Sequence, residues 1–170
     1  MNTDALVAAS SVLAGAGMTG LIQYATVART ARARQRARIG EAADALGGAL
    51  IDYRRPVYLK VTAARDGADA ASGREARWAA WSTVTRSLGR LQRVAAGIAG
   101  ASDLVRVARE AVATTAALND AASDVASAIR GRAPASRLAE AEDALAEAGD
   151  EARHLDEQLM AAAIRATGGA

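Results

Sequence analysis

Residues 102–131 read SDLVRVAREAVATTAALNDAASDVASAIRG. Leu104, Ala108, Ala111, Thr115, Leu118, Ala122, Val125 and Ile129 recur in alternating steps of four and three. With 3.6 residues per turn, that spacing puts an apolar stripe along one face of a helix. A half-buried strand needs alternation by two, and no segment of the chain shows it. Ser102 or Asp103 is placed to cap this helix, and Gly131 to stop it.

The flanking segments repeat the pattern. Pro134 suits the first turn of a following helix, where its missing N–H costs nothing. Leu138, Ala141, Leu145, Ala148, Ala152, Leu155, Leu159 and Ala162 give that helix an apolar face. Its other side carries Glu140, Glu142, Asp143, Glu147, Asp150 and Glu151, and residues 167–170 are expected to fray. On the N-terminal side, Ser72 and Glu75 have capping-box spacing for a helix running to about Ile98. Trp78, Trp81, Thr85, Leu88, Leu91 and Ala95 mark its expected buried face, and Gly97 and Gly100 end it. Residues 66–73 read as a loop. Before it, Leu46, Leu50, Tyr53, Val57 and Val61 share one helical face, interrupted by Gly47, Gly48 and Pro56. Pro56 is expected to kink this helix or begin a new one, because it has no N–H to donate.

Consecutive helices with such seams and short breaks predict an all-α chain. Its body is an antiparallel bundle of three to four helices, residues 73–167 packing with 39–64. Ala is the commonest residue, Phe is absent, and Trp and Tyr number two and three. Ala is the best helix former and has little strand preference. A core of Leu, Val, Ile and Ala allows close helix packing but buries little area per residue, so modest stability is expected. The acidic last helix is expected to lie along Arg74, Arg77, Arg86, Arg90 and Arg93 of the Trp-bearing helix. Such surface pairs stabilise little but help set pairing order.

The N-terminal segment is of another kind. Residues 5–28 contain no charged side chain, and about 20 apolar residues are enough to cross a hydrocarbon core. Ser10, Ser11, Thr19, Gln23 and Thr26 dilute the run. Arg29, Arg32, Arg34, Arg36 and Arg38 follow with no acid among them, whereas no Lys or Arg precedes the run. Arg beside a span stays cytoplasmic and meets anionic headgroups. The expectation is a transmembrane anchor over residues 1–28 and an Arg-rich juxtamembrane helix over 29–64. This makes a single pass through the cell membrane, with the N-terminus outside and the C-terminal domain cytoplasmic. A cleaved signal peptide carries its positive charge before the apolar run, the reverse of this order. The alternative is a buried helix in a soluble bundle, with residues 29–38 as its solvated continuation.

Gly15, Gly17 and Gly20 fit G-x-G-x-x-G. In a dinucleotide-binding fold that loop follows a strand, opens a helix, and is followed by a second strand ending in an acid. Here an Arg-rich helical stretch follows instead, so no cofactor is expected. The small residues read better as a helix-packing face, with Ser11, Gly15 and Thr19 spaced by four and Ala16 and Gly20 likewise.

Sequence chemistry argues against an enzyme. Cys is absent, so thiolate nucleophiles and Cys-ligated metals are excluded; the absence fits a reducing compartment. His154 is the single His, too few for a usual zinc site. Carboxylate pairs such as Glu140 with Asp143 or Glu147 with Glu151 read as a solvated helix face. No phosphate-binding G-x-x-x-x-G-K-[ST] run occurs. Trp78 and Trp81 read as core or interface anchors rather than a base-stacking platform. The net charge of +2 conceals an asymmetry: basic side chains prevail through residue 132, and acidic ones beyond it. Lys60 is the only Lys among 21 Lys and Arg, a bias that points to a high-G+C genome.

The layout of residues 5–64, including Asp52-Tyr53-Arg54-Arg55, resembles small single-pass membrane proteins of actinobacteria. These have a Gly/Ala-rich span, an Arg-rich helix and an Ala-rich helical domain. The resemblance implies topology and no activity. The expected function is a membrane-anchored helical scaffold or interaction protein. Its partners are lipid and either a second copy or a membrane or cytoplasmic protein. The alternative is a soluble bundle that uses a basic face on nucleic acid or an acidic partner. Phosphates attract the Arg run in either case. Deleting residues 5–28 is expected to abolish flotation with anionic vesicles while leaving any gel-shift affinity for nucleic acid intact.

Overall fold

A computed structural model describes the backbone of residues 3–69, 71 and 73–168, and side chains from residue 26 onward over the same range. Four helices occur among the described residues, with no strand. They are α1 (Thr3–Arg65), α2 (Arg74–Ala95), α3 (Ser102–Arg130) and α4 (Ala135–Thr167). The chain divides into two compact units, Met1–Ala37 and Arg38–Ala170.

In the first unit, the backbone of Gly15, Gly17 and Gly20 is helical, not a strand-to-helix loop. The side chains of Ser11, Ala16 and Thr19, and so the packing face expected of them with Gly15 and Gly20, lie outside the described residues. Apart from its last three residues, so do the side chains of the expected anchor, residues 5–28. Among the described residues, no helix is long and apolar enough to cross a membrane. Arg29, Arg32, Arg34 and Arg36 are exposed, as is Arg38 at the start of the second unit.

The second unit is a four-helix bundle that runs up, down, up, down. Its first helix is α1 from Arg38 onward. As α1 rises through Arg54 and Arg65, its partners on α4 fall through Asp156 and Glu142, so these helices are antiparallel. Glu41 with Arg90 and Tyr53 with Trp81 set α1 against α2 in the same sense. Asp103, in the first turn of α3, meets Arg165 in the last turn of α4. The core comprises Ile39, Leu46, Leu50, Val57, Val84, Leu91, Leu104, Leu118, Val125 and Leu159, filled between by Ala. The faces expected on α3 and α4 are the ones buried: Leu104, Ala108, Ala111, Thr115, Leu118, Ala122 and Val125 on α3, then Ala152, Leu155, Leu159 and Ala162 on α4.

Several local expectations are corrected. α1 runs unbroken through Gly47, Gly48 and Pro56. Pro56 withdraws one hydrogen bond from the carbonyl of Asp52, which lies on the exposed side where water can replace it. Burial of Tyr53, Val57 and Val61 on the opposite face holds the helix together across that gap. α2 starts at Gly73, whose φ of 69° is a left-handed conformation, and no side-chain cap bonds there; Ser72 lies outside the described residues. α2 also ends earlier than expected, at Ala95 rather than Ile98. Its inward face is Trp81, Val84, Leu88, Leu91 and Ala95, so Thr85 is exposed and Trp78 is 70% exposed. The steps of three and four remain, but the stripe starts one turn edge away from Trp78. The residue before α3 is Ala101, with no side-chain cap. Asp103 instead accepts from Arg165 and Arg106, and these bonds hold its carboxyl below the usual range.

The expected alignment of the acidic α4 along α2 is not found: α4 packs against α3 and not against α2. In this connectivity α2 and α4 are diagonal, and α4 lies between α1 and α3. Its carboxylates therefore meet Arg54 and Arg65 on α1. Arg54 and Asp156 form a two-pronged pair at 2.6 and 2.7 Å, with side chains only 12% and 21% exposed. The same guanidinium donates to the carbonyl of Ala152 at 3.0 Å. Close approach on this seam also uses Gly149: a Cβ there would stand 2.6 Å from the Tyr58 hydroxyl.

Thr115 is fully buried, and its Oγ1 has no hydrogen-bond partner among the described residues. Replacing it with the isosteric Val is expected to raise unfolding free energy by about 1 kcal/mol, since an unsatisfied hydroxyl is removed without loss of volume. Leu118→Ala, one turn on, is expected to lower it by ~2–5 kcal/mol. Urea titration followed by helical circular dichroism measures both.

Candidate functional site

Three helices of the bundle line an open cleft that carries aromatic and charged groups together. α1 contributes Tyr53 and Lys60, two turns apart on one face. α2 contributes Arg74, Arg77, Trp78 and Trp81 from its first two turns. α3 closes the cleft with Ala116, Asn119 and Asp120. The volume is about 410 Å³. The positions follow from helix periodicity: 53 and 60 are seven apart, as are 74 and 81, so each pair returns to one edge of its helix.

The floor is aromatic. The rings of Tyr53 and Trp81 lie 5.1 Å apart between centroids at 52°, a tilted packing favoured by their quadrupoles. Trp78 stands at the rim, mostly exposed. The Lys60 ammonium donates to the Ser123 hydroxyl, and that hydroxyl donates to the carbonyl of Asn119 at 2.7 Å. Three cations and one carboxylate line the cleft, so it carries a net positive charge.

Electrostatics follow from this lining. Burial is the main cause that pushes the Lys60 ammonium below its ordinary value, with Arg77 and Arg130 adding repulsion and Asp120 and Asp124 opposing it. Burial also pushes the Tyr53 phenol up; Arg77 works against that shift and Asp120 with it.

Of the residues singled out from sequence, Trp78 and Trp81 are brought to this cleft. Arg29, Arg32, Arg34, Arg36 and Arg38 are exposed on α1. His154 is exposed, with its Nε2 at 2.8 Å from the Gln158 amide nitrogen. Glu140, Asp143, Glu147 and Glu151 are exposed as well. Among the described residues, no three His, Asp or Glu side chains gather as a metal site. Lys60 was missed from sequence, although one signal was available: a lone Lys in an Arg-rich chain, seven residues from the buried Tyr53. Asn119, Asp120 and Ser123 had none, since on α3 they read as polar positions beside the seam. The chain matches no known family model, no curated protein and no solved structure.

The cleft makes stability depend on alkaline pH. Lys60 binds its proton less tightly folded than unfolded, so between its folded value and 10.5 the unfolded chain holds more protons and stability rises with pH. Tyr53 works the other way: the unfolded phenol loses its proton first, so stability falls as pH passes 10.0. Urea midpoints are expected to climb with pH below about 10 and to turn over above it. Lys60→Met is expected to remove the climb and keep the fall.

Proposed function

We propose that the chain is a membrane-anchored helical scaffold and not an enzyme. In this reading residues 5–28 span the cell membrane, the N-terminus lies outside, and the bundle presents its surface to partners in the cytoplasm. The observation that carries the reading is the one-sided charge of residues 5–38. A charge-free run is followed by five arginines with no acid between them, all of them exposed. At ~1.5 Å per helical residue, the run covers roughly 36 Å against a hydrocarbon core of about 30 Å. The exposed arginines suit anionic headgroups.

Self-association of the anchor is part of the proposal. The row of Ser11, Gly15 and Thr19, with Ala16 and Gly20, allows close approach of two spans. Ile51 and Leu59 on α1, and Met160 and Ile164 on α4, are large apolar side chains left exposed. Their exposure supports contact with a second copy. A second reading is a soluble bundle that binds nucleic acid or an acidic partner. The exposure of Arg74, Arg86, Arg90 and Arg93 on α2 favours it.

Full-length protein is expected to sediment with membranes and resist carbonate extraction. Crosslinking in the membrane is expected to yield a dimer that Gly15→Leu with Gly20→Leu abolishes. Protein that is soluble and monodisperse without detergent would refute the anchor. A strictly monomeric result, unchanged by the two substitutions, would refute self-association.

A further inference from the structure

The cleft between α1, α2 and α3 opens to the surface and gathers aromatic and charged side chains. It is lined by Tyr53, Lys60, Arg74, Arg77, Trp78 and Trp81, with Ala116, Asn119 and Asp120 on the α3 side. Its volume of about 410 Å³ lies in the range of small-molecule sites. Lys60 is partly desolvated inside it, and its ammonium is repelled by Arg77 and attracted by Asp120; Lys60, Arg74 and Arg77 against Asp120 leave the lining net positive. An anion placed between Lys60 and Arg77 offsets both the lost hydration and the repulsion.

We propose that this cleft binds a planar aromatic anion of about nucleoside-monophosphate size, its ring against the indole of Trp78 and its anionic group between Lys60 and the arginines of α2. Trp78 has the face for it, because at 70% exposure its ring is not used by the core. Trp81 already packs against Tyr53, which fixes the floor and leaves Trp78 as the stacking partner. Lys60 donates one hydrogen bond to Ser123, and an ammonium has three to give. Asn119 and Asp120 on the α3 wall are suited to accept from polar edges of the ring. The inference concerns the bundle and is independent of how residues 5–28 meet a membrane.

Trp78 and Trp81 are the only two Trp in the chain, so indole emission reports on the cleft alone. Full-length protein is titrated with adenosine monophosphate, adenosine and inorganic phosphate, by emission and by calorimetry. Saturable quenching by the monophosphate is expected, with adenosine and phosphate each weaker by about tenfold or more, the worth of one lost charge-assisted bond or stack. Lys60→Met is expected to weaken the monophosphate by about tenfold, and Trp78→Leu, at an exposed position that does not endanger folding, comparably by calorimetry. Arg93→Met, an exposed cation of α2 outside the cleft, is expected to leave the affinity unchanged. Absence of saturable binding by the monophosphate overturns the proposal. So does phosphate binding as tightly as the monophosphate, or Arg93→Met weakening it as much as Lys60→Met.

Discussion

How near its helices can come is the constraint on which this bundle depends. With no Phe, the core must be filled by Leu, Val, Ile and a large share of Ala. Small side chains fill space only if the backbones move inward, since interiors pack to near-crystalline density. Ala42, Ala43, Ala108, Ala111, Ala122, Ala152 and Ala162 are therefore almost wholly buried between the larger anchors. Gly149 takes this furthest, where a Cβ would come within 2.6 Å of the Tyr58 hydroxyl. The same closeness explains why Pro56 is absorbed within α1. Contacts on the buried face outweigh one lost hydrogen bond on the other.

Close packing does not choose neighbours, because a largely aliphatic seam runs along each of the four helices. Charge and loop length do that. Short connections make consecutive helices adjacent and place α4 between α1 and α3. The Arg54–Asp156 pair then sets the α1–α4 register. It is two-pronged, mostly shielded, and extended to the carbonyl of Ala152. A one-turn slip would leave a guanidinium and a carboxylate unpaired in a poorly hydrated seam, which costs more than the exposed pairs elsewhere contribute.

The cleft is where the packing rule is relaxed. Large aromatic rings and long cations occupy one end of an otherwise small-residue bundle. Trp81 and Tyr53 belong to the core on one side and to the cleft floor on the other. Burial, with added repulsion from Arg77, weakens the hold of Lys60 on its proton there. A bundle selected for stability alone has no need of that gathering.

Helix type and inward face were legible wherever the apolar spacing was long and regular. Leu104 to Val125 and Ala152 to Ala162 are buried as their periodicity demanded, because a helix leaves no other choice of face. On α2 the stripe was misplaced: a large Trp78 draws attention on any face, and only its neighbours decide whether it is covered. Helix starts were poorly legible too. A Ser or Asp near a boundary offers a cap, but Gly73 and Ala101 hold those positions without one. The chain by itself determined an all-helical body with small-residue seams and a one-sided run of Arg after a charge-free segment. Those are properties of local spacing and composition. The tertiary structure decided which helix meets α4, and that Lys60, Arg77 and two Trp share a cleft. Those depend on side chains far apart in sequence meeting at one depth of the bundle, and no local period encodes that depth.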